Sequence, residues 1–168
     1  MAGYQEEIYS TKMKHDGIFS YKDYYKFCYD WLTEEVGVGI VEKEYNEKIS
    51  GNAKEIKVKW EGEKKLTDYF KFVIKVEFHI LGMTNVELNQ DGVKIKTNKG
   101  SIKTSVKGLL VRDYEGKFET KPFNKFLRGI YEKWVITQRI EQFQDFVAGK
   151  CDGFIEQAKA YLDLEGRK

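Results

Sequence analysis

Few residues in this sequence have the types and spacing that chemistry requires. Two histidines, His15 and His79, and two cysteines, Cys28 and Cys151, are its whole complement of imidazoles and thiols. Neither pair has the spacing of a zinc site or a redox dithiol. Each cysteine lies among apolar residues at helical spacing, which predicts reduced, structural thiols. His79 stands two residues from Glu77, and the two could share a proton or a metal ion; a solvated surface pair is the plainer reading. His15 beside Asp16 and Gly17 reads as a turn feature.

Phosphate-loop, dinucleotide-fingerprint, HExxH and GxSxG patterns are all absent. Carboxylates such as Glu34, Glu35, Glu42, Glu44 and Glu47 are numerous, yet acid/base catalysis needs a pair whose environments differ, and nothing selects one. No catalytic residue, metal site or cofactor is therefore assigned, and the expectation leans away from an enzyme.

Charge is more informative. The net charge is only +2, but Val93 to Lys107 carries Lys94, Lys96, Lys99, Lys103 and Lys107 with no acid, whereas Glu141 to Glu165 is mostly acidic. Lys94, Lys96, Lys103 and Lys107 are expected on the face opposite Val93, Ile95, Ile102 and Val106, with Lys57, Lys59, Lys71 and Lys75 in the same outward phase. Such a face could track the phosphates of nucleic acid or of an anionic membrane surface. Aromatic stacking residues other than Tyr69 are not expected on that face, and lysines also keep sheets from aggregating, which is the plainer reading. The second concentration is aromatic: Trp60, Phe70, Phe72, Phe78, Phe143 and Phe154 with Ile74, and also Phe123, Phe126, Tyr131 and Trp134, are read as inward-facing. They would either fill a core or enclose an apolar ligand.

The elements that would position these residues follow from periodicity. Tyr21, Tyr24, Tyr25, Cys28, Trp31 and Leu32 predict a helix over 21–35, capped by Ser20 and stopped near Gly37. Val38 to Ile49 is strand-like with a change of phase near Ile40 and Val41, and Gly51-Asn52 is a hairpin turn before Ile56, Val58 and Trp60. From Tyr69 to Leu81 the even positions are Phe70, Phe72, Ile74, Val76, Phe78 and Ile80, a half-buried strand that cannot stand without a cover. Short strands at Val86–Leu88, Val93–Thr97 and Ile102–Leu110 are expected between turns at Asn89–Gly92 and Asn98–Gly100.

Thr120 and Pro122 open a helix whose stripe is Phe123, Phe126, Leu127, Ile130, Tyr131 and Trp134. A break near 135–137 leads to a last helix over about 137–164, with a possible restart between Gly149 and Gly153. The fold class is thus α+β: one domain over 1–168, with an antiparallel sheet of six or seven strands in meander order, an N-terminal helix and two C-terminal amphipathic helices. The first residues show no secretory pattern and no apolar run is long enough to span a bilayer as a helix, so a cytoplasmic address is expected.

Weak strand, helix, meander and terminal helix, in that order, resemble the helix-grip fold of START and Bet v 1-like proteins. The resemblance covers nearly the whole chain but rests on order alone. The helix at 122–134 and the short Ser50-Gly51-Asn52 turn depart from it. It implies a bent sheet around a terminal helix with an apolar cavity between, so the first expectation is a non-enzymatic protein binding an apolar small molecule or lipid through Trp60, Phe70, Phe72, Ile74, Phe78, Phe143 and Phe154. The alternatives are an interaction module using Lys94, Lys96, Lys103 and Lys107 on nucleic acid or anionic membrane, and a homo-oligomeric structural protein joined through Tyr21, Tyr24, Tyr25 and Trp31.

Overall fold

The computed structural model describes residues 4–116 and 122–167. Its elements run β1 (Tyr4–Phe19), α1 (Tyr21–Asp30), β2 (Gly39–Ser50), β3 (Ala53–Lys65), β4 (Phe70–Gln90), β5 (Val93–Arg112), α2 (Pro122–Ile130) and α3 (Thr137–Glu165). Wider helical turns at Trp31–Val36 and Tyr131–Val135 continue α1 and α2. The sheet is antiparallel, in the order β1-β5-β4-β3-β2.

Among the described residues the sheet has five strands, not six or seven. The difference arises at Asn98-Lys99-Gly100, which is extended backbone within β5 instead of a turn. Opposite Gly100, β4 carries an extra residue, and its register shifts between Leu81 and Thr84. Gly82 supplies the positive φ of +61° and Gly100 the close approach: a Cβ there would lie 3.0 Å from the Met83 Cα. The bulge bends the long β4–β5 hairpin without ending it. Likewise His15-Asp16-Gly17 is no turn, because β1 runs through it as far as Phe19.

Even positions of β3, of β4 as far as Ile80 and of β5 point to one face, where Ile56, Val58, Trp60, Phe72, Ile74, Val76, Phe78, Ile80, Ile102 and Val106 are buried. Two helices cover it. Ser20 caps α1 by accepting a hydrogen bond from the Asp23 N–H, and Gly37 ends the helical segment with φ +81°. Tyr24, Cys28, Leu32 and Val36 enter the core, while Tyr21, Tyr25 and Trp31 pack against it. The tyrosine-rich helix therefore covers the sheet, with Tyr24 buried and Tyr21, Tyr25 and Trp31 partly exposed. The last helix, α3, runs unbroken through Gly149 and Gly153 and lies on β1 and β5. It comes so close that a Cβ on Gly108 would meet Cys151 Sγ at 2.6 Å.

The third helix behaves otherwise. A break at Ile136 separates α2 from α3, as the phase jump predicts. The expected inward stripe of α2, however, points outward: Phe123 is 65% exposed, Phe126 62% and Trp134 74%. Thr120 lies outside the described residues. None of the described helices is long and apolar enough to cross a membrane.

Candidate anion-binding face

Cross-strand register defines the outer face of the sheet. Residues directly opposite one another in an antiparallel pair share a face, so one row reads Lys14, Lys103, His79, Lys57 and Asn46 across β1, β5, β4, β3 and β2. The next reads Lys12, Ser105, Glu77, Lys59 and Glu44, and a third Ser10, Lys107, Lys75 and Glu61. The face is hollowed into a trough of about 610 Å³ lined by six lysines, Lys12, Lys57, Lys59, Lys75, Lys103 and Lys107, with Glu44, Glu77, His79 and Ser105.

Its positive charge is only partly compensated. Lys59 takes both trough carboxylates, Glu44 at 3.4 Å and Glu77 at 3.8 Å, and Lys107 reaches Glu7 at 4.0 Å. Lys12, Lys57, Lys75 and Lys103 have no ion-pair partner among the described residues. Lys14 faces Lys103 and Lys75 faces Lys107, and like charges directly opposite each other destabilise a sheet. His79 hydrogen-bonds Glu55 at 2.9 Å, not Glu77, and that bond holds the Glu55 carboxyl below its usual range. No group of three or more His, Cys, Asp or Glu among the described residues could hold a metal ion.

The four lysines expected on one face divide into two pairs. Because β5 is a single strand without a bulge of its own, Lys94 and Lys96 keep the parity of Ile102 and Val106, opposite to Lys103 and Lys107. Lys96 accordingly lies beside Ser20 and Lys22 at the start of α1, away from the trough. Lys12 was missed from the sequence because a register shift between Glu7 and Tyr9 breaks the alternation of β1. The Tyr9, Thr11, Met13 series against Ser10, Lys12, Lys14 is the signal that was available.

No protein-family model matches the chain, and searches of curated proteins and of solved structures return no match. Its residues must carry the functional reading.

The seven aromatic and aliphatic candidates do meet, as a core. Trp60, Phe70, Phe72, Ile74, Phe78 and Phe154 are each at most 2% exposed and pack against one another as core. Trp60 meets Phe78 edge-on at 4.9 Å, and half-buried Phe143 lies 4.8 Å from Phe70. An apolar ligand between sheet and α3 would have to displace this packing, so that expectation draws no support from the geometry. The thiols lie in the same interior, where burial raises Cys28 and pushes Cys151 from 9.0 up to about 12.

Proposed function

We propose that the chain is a non-enzymatic binding module whose outer sheet face takes a phosphate-bearing polyanion. The observation that carries this reading is the trough itself: six lysines converge on one concavity, two lysine pairs stand directly opposite across the strands, and both carboxylates that line it among the described residues, Glu44 and Glu77, pair with Lys59. Lysines kept only for solubility gain nothing from facing each other. A concave low-dielectric wall focuses their field on an approaching anion. Of the residues lining the trough, Phe78 is buried in the core and His79 is tied to Glu55, so lysine dominates the open surface, which favours contact with phosphates over reading of bases.

A helix-grip relationship belongs to the same proposal. The element order and the position of α3 across the even face support it, while α2 and the filled interior mark the departures.

Amide shifts recorded while adding inorganic polyphosphate test the function. The largest changes are expected at 10–14, 57–59, 75–79 and 103–107. Changes confined to α1, α3 or the β4–β5 tip would overturn the reading.

A further inference from the structure

The polarity of α2 is inverted relative to a core helix. At about 100° per residue, Phe123, Phe126, Leu127, Ile130 and Trp134 occupy an arc roughly 100° wide. All five are exposed. The half-buried positions are instead Asn124, Arg128, Tyr131 and Glu132, the adjacent, mainly polar stripe. That stripe is what ties α2 to the sheet: Glu132 accepts a hydrogen bond from the Tyr69 hydroxyl at 2.5 Å and pairs with Arg112 at 3.4 Å. Arg112 in turn pairs with Glu6 at the start of β1. A segment that fixes itself by its polar side and presents phenylalanines and a tryptophan outward has an apolar face reserved for something outside the chain.

Charge selects the occupant. From 122 to 139 the basic residues are Lys125, Arg128, Lys133 and Arg139, and the single acid, Glu132, is already paired with Arg112. Lys125, Lys133 and Arg139 are exposed; Lys133 flanks the apolar arc and lies over the Trp134 ring at 5.3 Å. A second copy of this chain would bring the same basic margin against itself. An anionic lipid surface complements both parts, the acyl boundary taking the aromatic arc and the headgroups the cations. We propose that α2 is an interfacial helix that lays Phe123, Phe126, Leu127, Ile130 and Trp134 into an anionic bilayer surface. This names a bilayer as the source of phosphate for the lysine trough, and it rests on that reading only for the source, since the insertion itself is a property of α2.

Vesicles of phosphatidylcholine with and without phosphatidylserine provide the test, read by sedimentation and by tryptophan fluorescence with acyl-chain quenchers. Binding to the phosphatidylserine vesicles with quenching of Trp134, assigned by comparison with Trp134→Phe, is expected. The double substitution Phe126→Ser with Trp134→Ser is expected to weaken vesicle binding at least tenfold while leaving the thermal melt and polyphosphate binding unchanged. Lys103→Glu with Lys107→Glu should weaken polyphosphate binding at least tenfold yet keep residual quenching of Trp134. Loss of polyphosphate binding in the wild type with vesicle insertion intact would sink the trough and spare α2. Vesicle binding without quenching, no vesicle binding, equal binding by the serine variant, or a dimer by light scattering that shields Trp134 would each overturn the interfacial role.

Discussion

The hydroxyls of Tyr24 and Thr104 meet 2.8 Å apart where neither reaches water. Tyr24→Phe leaves a buried Thr104 hydroxyl unsatisfied and is expected to cost about 1–3 kcal/mol in urea unfolding. Adding Thr104→Val should cost less than the sum of the two single changes, because no orphaned hydroxyl then remains. Burial raises Tyr21, Tyr24 and Tyr69 well above 10.0 and Tyr9 and Tyr25 to about 12, with hydrogen bonds to Asp152 and Glu42 reinforcing the last two. A folded pKa above the unfolded one contributes stability that is complete below the unfolded value and is lost as pH rises toward the folded one. Urea midpoints should therefore hold to about pH 8 and fall above roughly pH 9–10, starting with the thiols. A midpoint flat to pH 11 would contradict the burial of these groups. Most of this was legible only as composition: helical spacing put Tyr24 and Cys28 on one stripe, but nothing in the sequence paired Tyr24 with Thr104, eighty positions away.

Local periodicity located α1, α3 and the even face of β4, since each is a regular stripe facing one core. It failed where a bulge resets the phase. The shift at Leu81/Thr84 made β4 and β5 read as several short strands, and the one at Glu7/Tyr9 hid Lys12. In α2 the stripe was legible and its direction was not, because an amphipathic pattern says which residues share a face and not what covers them. Exposure and burial now make contrasting predictions for stability. Phe126→Ser should change it by no more than about 0.5 kcal/mol, whereas Phe72→Ala should cost about 3–5 kcal/mol. At the contact between α3 and β5, Gly108→Ala would press on Cys151 and Val147 and should cost about 1–3 kcal/mol, part of it recovered by Cys151→Ala.

Across the whole molecule, the sheet separates two environments: a dry face filled by aromatic packing under α1 and α3, and a hollow outer face dominated by lysine. Half of the basic quartet read from the sequence belongs to that hollow, because one unbroken strand assigns Lys94 and Lys96 to the other side. That division allows a direct test of the central claim, with both double variants carrying the same change of net charge. Polyphosphate affinity should be measured against salt concentration for the wild type, for Lys103→Glu with Lys107→Glu, and for Lys94→Glu with Lys96→Glu. The account predicts that log affinity falls linearly with log salt in the wild type, that the first variant loses at least tenfold in affinity and has a shallower slope, and that the second stays within about threefold of the wild type. Equal losses in the two variants would show that net charge, and not the trough, binds the anion.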